Sequence, residues 1–263
     1  LLERSLGVRL FDRGPTLALT EQGQRLFDGI APAFDRLAAA IQRDDRRDAQ
    51  RDLLVNAPPT FTMKWLLPRL SRFQQRFRDV DVRLSTGIGP LRELKMNEVD
   101  VVIRRLGRPD ADMPSTPFLS SALFPVCAPE LIERRPIKSP RDIAELQLIE
   151  AETGALGWID WFARLGHAVP VSARFARFER ALGALEAALD GLGVALLPSA
   201  LVLDDIAAGR LTVALKVPGF HERDYFWLCS PLTRQAGIGR AFVDWLSEEG
   251  GDSNRLAESI IAP

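Results

Sequence analysis

The sequence predicts an α/β domain built on a parallel sheet, preceded by a helix-and-hairpin segment and a linker helix. Three observations predict it. From residue 52 onward, apolar runs of strand length alternate with amphipathic stretches of helical period, the pattern of strand–helix–strand units. Ahead of them Phe27, Ile30, Phe34, Leu37 and Ile41 recur at spacings of three and four, the seam of a helix that packs along a partner. Between the two lies Arg43-Asp44-Asp45-Arg46-Arg47-Asp48, a charge run that reads as a solvated linker. The 263 residues leave room for two lobes.

The first residues read as the tail of a helix: Leu2 and Leu6 share a face, and Gly7 suits the left-handed position that ends it. Val8 to Asp12 then alternates, breaks at Arg13-Gly14-Pro15 and resumes at Leu17-Ala18-Leu19, a hairpin signal. A helix end followed by a basic-tipped hairpin is what remains of a winged helix-turn-helix when its front is removed, with Arg9 and Arg13 available to phosphates or the minor groove. The opening Leu1-Leu2-Glu3-Arg4 has neither an initiator Met nor a signal pattern and reads as the cut edge of something longer. Thr20 suits the N-cap of the next helix, and Pro32 is expected to kink it. Its apolar seam also fits an ordinary core helix. The polar linker behind it, which leaves it little core of its own to face, favours a dimer helix.

Beyond the linker, Asp52 to Ala57 is a buried-strand candidate stopped by Pro58-Pro59, and Thr60 to Phe77 is helical with Leu66, Leu67, Leu70, Phe73 and Phe77 inward. Val80 to Leu84 is a strand, 91–97 a short helix, and Val99 to Ile103 another strand. After a proline-rich crossing at 113–129, strands are expected at Leu146–Glu150, Val171–Phe175, Val194–Leu197 and Tyr225–Cys229. Helices are expected at Arg180–Leu189, Ser199–Ala208 and Ile238–Glu248, and Gly250 to Asn254 reads as a frayed tail.

Composition narrows the function classes. With 46% apolar and 26% charged residues the chain is neither disordered nor fibrous. Four prolines between Met113 and Pro129, the longest uncharged stretch, exclude a bilayer-spanning helix there. A net charge of −1 offers no bulk attraction to nucleic acid or anionic lipid. Cys127 and Cys229 have no paired-cysteine spacing and read as reduced thiols of a cytoplasmic protein. His167 and His221 form no triad or metal-ligand pattern, and nucleotide-loop and hydrolase motifs are missing, so no catalytic residue, metal or cofactor is expected. The one stretch with binding chemistry is Pro58-Pro59-Thr60-Phe61-Thr62. Helix-start N–H groups flanked by hydroxyls hold a carboxylate well, although Thr60 could equally serve only as a cap.

These residues also carry a family resemblance. Leu6 to Arg13 (LGVRLFDR) followed by Leu19-Thr20-Glu21-Gln22-Gly23 is similar to the end of the DNA-binding domain of LysR-type transcriptional regulators. Ala57 to Phe61, Trp65 to Leu70, Val99 to Arg104, Leu123 to Pro129 and Gly191 to Pro198 resemble successive segments of that family's effector domain. Trp158-Ile159-Asp160-Trp161 and Trp227-Leu228 look like the branch of glycine-cleavage and β-lactamase activators. The resemblance implies a winged helix-turn-helix remnant at 1–20, a dimerisation helix at 21–51, and an effector domain at 52–263 of the two-lobed, periplasmic-binding-protein type II-like kind. Lobe I would comprise 52–121 and 223–250, and lobe II 122–222.

It further implies a DNA-binding regulator, dimeric or tetrameric, controlled by a small effector between the lobes. That effector is expected to be anionic: an amino acid, a peptide fragment or an organic acid. Effector-binding residues carried over on this basis are Thr60, Phe61, Thr62, Arg104, Glu179 and Phe226. The chain departs from the branch at Phe178-Glu179-Arg180-Ala181-Leu182, where serines are expected, and at Phe226, where a tyrosine is expected. The front of the DNA-binding domain is not in the sequence, so operator readout is not expected of residues 1–263 alone. A solute-binding protein of the same fold, or an enzyme on it, are the alternatives; the first should open with a signal peptide, the second needs a catalytic constellation.

Overall fold

The computed structural model describes residues 2–13, 17–31, 52–89, 99–107, 114–152, 156–217, 220, 224–230, 233–234 and 237–261. Two compact units divide the chain, Leu1–Arg51 and Asp52–Pro263.

In the first unit, helix α1 (Leu2–Leu6) ends at Gly7, whose φ of 69° is the left-handed turn that glycine permits. Strands β1 (Phe11–Arg13) and β2 (Leu17–Leu19) pair antiparallel, Phe11 opposite Leu19 and Arg13 opposite Leu17. The Glu3 carboxylate accepts the N–H groups of Leu10 (2.7 Å) and Phe11 (3.1 Å), tying α1 to the hairpin. Thr20 caps helix α2 (21–31) by accepting the Gly23 N–H at 3.0 Å, and its own hydroxyl donates to the Arg9 carbonyl. A Cβ at Gly23 would stand 2.0 Å from the Leu10 carbonyl oxygen, so that close approach requires glycine. On α2, Phe27 and Ile30 are exposed within a single chain. Phe34, Leu37 and Ile41, like Pro32, the linker and the helix expected at 91–97, lie outside the described residues.

The second unit holds two five-stranded sheets. The first comprises β3 (Asp52–Ala57), β4 (Asp81–Thr86), β5 (Val101–Leu106), β6 (Thr116–Leu119) and, from the far end of the chain, β12 (Asp224–Cys229), in the order β4-β3-β5-β12-β6. The second comprises β7 (Leu123–Cys127), β8 (Gln147–Ala151), β9 (Arg174–Phe178), β10 (Val194–Pro198) and β11 (Thr212–Val213), in the order β11-β7-β10-β8-β9. Both sheets are mixed rather than parallel: β12 runs against β5 and β6, and β7 against β10. Apolar runs show that a strand exists and not which way it runs.

Helix α3 follows β3 as one continuous rod, Pro59–Phe61, a wider π segment Thr62–Leu66, and Leu67–Arg76. Pro68 accounts for the π segment: it has no N–H for the Lys64 carbonyl, and the ladder shifts so that Leu67 N–H reaches the Thr62 carbonyl. In the second sheet's layer lie α4 (Pro129–Arg134), α5 (Pro140–Ala144), α6 (Trp158–Arg164), α7 (Ala181–Leu189) and α8 (Ser199–Ala207). The proline-rich crossing contains strands after all. Pro117 sits on the edge strand β6, and Pro125 in a strand whose outer neighbour is only two residues long, places where a missing N–H is tolerated. Strand β9 begins three residues later than its apolar alternation suggests, because Ala173 N–H closes a turn on the Pro170 carbonyl.

The expected frayed tail is instead the middle of a 25-residue helix, α9 (Gly237–Ile261). Gly250 lets it lie against β6, where a Cβ would meet the Phe118 carbonyl oxygen at 2.1 Å. Ser253 Oγ accepts the buried Trp65 indole N–H, and Asn254 Oδ1 accepts the Ser120 N–H. Helix α8 braces the two layers. It packs on α3 and α9 as well as on β7 and β10, and Arg69 of α3 holds Asp204 with two hydrogen bonds of 2.8 and 2.7 Å. Among the described residues no helix is long and apolar enough to cross a membrane.

Candidate functional site

A cavity of about 350 Å³ opens where the chain leaves β3, β5 and β10 and enters β12, with α7 on its far side. Its walls mix Pro58, Pro59, Ile88, Pro198 and Leu201 with Thr60, Tyr225 and three arginines: Arg104, Arg105 and Arg180.

The α3 end of the cavity follows from local sequence. Pro58 (φ −60°, ψ 140°) takes the N-cap position and Pro59 the first helical one, where a missing N–H costs nothing. The first intrahelical bond is Thr62 N–H to the Pro58 carbonyl, so the Thr60 and Phe61 amides precede the helix ladder, and both residues line the cavity. Thr62 does not face it. Its side chain is buried and its hydroxyl donates to the Pro58 carbonyl at 3.0 Å, a back-bond typical of threonine inside a helix. Phe61 forms a floor with Tyr225, stacked at 4.4 Å between ring centroids, and with Trp65 at 5.1 Å.

Arg104 ends the apolar run of β5 and is only 5% exposed. Its Nη1 donates to the Ile103 carbonyl at 2.8 Å and its Nη2 to Asn56 Oδ1 at 2.7 Å, while Asn56 itself is oriented by Ser85. All its acceptors are neutral, its Nε has none, and among the described residues no carboxylate pairs with it. Burial alone pulls its pKa below the ordinary arginine value. Arg105 donates through Nε to Ser121 Oγ at 2.8 Å. Burial pushes the Tyr225 phenol up to about 12, opposed in part by the charge of Arg105.

The opposite wall is built at the start of α7. Arg180 occupies the N-cap position in extended conformation, so Arg180 and Ala181 present the helix's first turn to the cavity. Glu179 does not line it: that carboxylate is exposed and lies 3.2 Å from Arg180. Phe226 is also misplaced by sequence reasoning. It is not a lining residue: it pairs with Arg104 and Pro117 across the sheet, while its neighbour Tyr225, paired with Arg105, lines the cavity. Arg105 and Tyr225 are thus cavity residues absent from the expected set, and Arg180 lines the wall beside the expected Glu179. The alternation of β12 carried the signal for Tyr225, but which face is inward depends on the sheet's neighbours. In the first unit Arg9 is exposed just ahead of the hairpin, and Arg13 closes β1. No cluster of three or more metal-ligating side chains exists among the described residues.

Comparison with known proteins gives a consistent picture. The LysR substrate binding domain model matches residues 46–251. The chain is 35% identical over 254 residues to the HTH-type transcriptional activator AmpR of Pseudomonas aeruginosa, spanning 94% of this chain and 82% of the relative. It is 30% identical over 248 residues to the glycine cleavage system transcriptional activator of Escherichia coli, spanning 93% and 80%. Among solved structures, the effector domain of AmpR from Pseudomonas aeruginosa superposes with a TM-score of 0.63 at 29% identity, covering 78% of this chain and 98% of that one. CrgA, a LysR-type regulator from Neisseria meningitidis, shares the fold over 95% of this chain and 86% of its own, with a TM-score of 0.61 at 23% identity.

Proposed function

The chain belongs to the LysR family of transcriptional regulators, and from that premise we propose that its second unit senses a small anionic effector held in the cavity between the two sheets. The observation that carries this is Arg104. A buried guanidinium surrounded only by neutral acceptors is costly until an anion completes it, and this one lines a cavity at the small end of the range for ligand sites. The Thr60 hydroxyl and the Thr60 and Phe61 amides would hold the same acidic group at the positive end of α3. An effector that contacts both walls favours one arrangement of the two sheets over another, which is how its binding would be transmitted.

In this reading the protein works in the cytoplasm as a regulator and not as an enzyme. Arg9 and Arg13 position the hairpin on DNA phosphates, without specifying sequence; replacing both by Ala in a protein with a full DNA-binding domain should flatten the salt dependence of binding. Phe27, Ile30, Phe34, Leu37 and Ile41 form a seam buried between chains, at about 1.5–3 kcal/mol for each side chain. Sedimentation should therefore show a dimer or tetramer, and a monomer at tens of micromolar would remove the seam from this account. For the effector site the test is calorimetry on a ligand found by thermal-shift screening. Thr60→Val keeps the volume and deletes the hydroxyl, and should weaken binding by about 1–3 kcal/mol. Unchanged affinity in both Thr60→Val and Arg104→Gln would place the site elsewhere.

A further inference from the structure

The two walls of the cavity are charged alike and belong to different sheets, which bears on the kind of anion it takes. On one wall Arg104 is 95% buried with an unpartnered Nε, beside the helix-start amides at Thr60 and Phe61. On the other, Arg180 stands at the first turn of α7, a nine-residue helix whose positive end points the same way. Between them the lining is apolar: Pro58, Pro59, Ile88, Ala181, Pro198 and Leu201. Among the described lining residues there is no carboxylate to neutralise either wall. The pair that Arg180 makes with Glu179 is solvent-exposed on both sides and is therefore weak enough to be exchanged.

A single acidic group can complete only one of these walls. If it docks on Arg104, the positive charge of Arg180 and the α7 terminus gains nothing from the ligand and keeps only its exposed pair with Glu179. If it docks on Arg180, the buried guanidinium of Arg104 stays uncompensated. A molecule with an acidic group at each end and an apolar segment between satisfies both guanidiniums in their preferred forked geometry and covers the apolar middle. A ligand amino group has no acidic partner among the described lining residues, since Glu179 is not one of them and is paired with Arg180.

Resting on the cavity assignment above, we propose that the effector is a compact dianion, two carboxylate-like groups on a short apolar frame, with one end held by Arg104 and Thr60 and the other by Arg180. The ligand thereby spans the two sheets. Arg180 selects for the second charge, while Arg104 binds the first.

Calorimetry on the full chain with the α,ω-dicarboxylates malonate through suberate, and with the monocarboxylates of equal carbon number, tests this directly. One or more of the diacids should bind roughly tenfold or more tightly than the matching monoacid. Arg180→Gln, at a half-exposed position that should fold normally, should reduce that advantage to about twofold or less and leave monoacid affinity unchanged. The proposal is overturned if monoacids bind as tightly as diacids in the unaltered protein, if Arg180→Gln leaves the diacid advantage intact, or if no diacid of the series binds. It is also overturned if inorganic phosphate, a dianion on one centre, binds at least as tightly as the best diacid. Failure of the cavity assignment itself looks different: diacids and monoacids alike would then bind equally well to Arg104→Gln and to the unaltered protein. Should Arg104→Gln not fold, Thr60→Val gives the same reading.

Discussion

Arg69 and Arg104 are hidden from solvent to nearly the same degree, 7% and 5% exposed, and they are satisfied in opposite ways. Arg69, on the back of α3, meets Asp204 through two hydrogen bonds, donates a third to the Trp65 carbonyl, lies over the Trp65 ring at 4.9 Å and has Glu249 nearby at 3.9 Å. Next to it Lys64 reaches the almost fully buried Asp205, which Arg210 also holds. Arg104, at the front of the same layer, has carbonyl and amide oxygens and nothing charged. One region is a closed ionic clamp between α3, α8 and α9. The other is a buried cation held by neutral oxygens alone. Equal burial therefore says little about role. What separates a structural cation from a binding one is whether the fold itself provides the anion.

The largest effect that should separate the two regions is on stability. Arg69→Ala strands Asp204, while Glu249 keeps Arg72, and opens the contact between α3 and α8. Because Asp204 keeps some solvent access, a loss of about 2–4 kcal/mol is expected in denaturant unfolding, below the full cost of a wholly buried pair. Arg104→Gln, by contrast, removes an uncompensated buried charge. It should change stability by about 1 kcal/mol or less while abolishing most of the affinity for acids. Equal stability losses in the two variants would break the comparison.

A second measurement sharpens the cavity side. Tyr225 is the only tyrosine in the sequence, so phenolate absorbance reports on it alone. In the folded protein its titration should centre at about 12, because burial disfavours the phenolate. In the unfolded chain it should return to about 10. Its folded pKa being the higher, the contribution is fully present below pH of about 10 and is lost as the pH rises through about 12, since over that range the unfolded chain releases the proton first. The effect is on the order of 2 kcal/mol across the window. A native midpoint near 10 would show Tyr225 to be solvated and outside the cavity wall.

The smallest effects belong to pairs that are neither clamp nor site. Arg240–Asp244 and Arg255–Asp252 lie on the exposed face of α9. Alanine at Arg240 or Arg255 should leave the denaturant midpoint almost unmoved, and any difference should vanish in high salt. A change as large as that of Arg69→Ala would mean that burial does not set the worth of an ion pair in this protein.

Much of the architecture is legible in the residue order because its causes are short-ranged. Gly7 stops α1, Thr20 caps α2, and Pro58-Pro59 ends β3 and starts α3, each through interactions within a few residues. The misreadings occur where a distant partner decides. Pro117 and Pro125 read as breakers until the sheet order shows that their strands have little to lose on the outer side. Gly250-Gly251-Asp252-Ser253-Asn254 reads as a tail until Phe118, Ser120 and Trp65 arrive to hold it as helix.

The candidate site divides in the same way. Helix-start amides at Thr60 and Phe61 could be read from the prolines before them, and Thr62 could not be placed, since its hydroxyl had a helical carbonyl as near as any ligand. Phe226 and Tyr225 are neighbours on one strand, and the sequence carries their alternation but not which of the two looks into the cavity. Residue order by itself determined the secondary elements, their caps and the family pattern, because periodicity and capping are properties of contiguous chain. The tertiary structure alone decided the charge of the cavity. Arg69 receives a carboxylate from 135 residues away and Arg104 receives only the Asn56 amide from 48 residues away. Neither distance is a property of the local sequence, and counter-charge in a protein interior is settled by what the folded chain brings within a few ångströms.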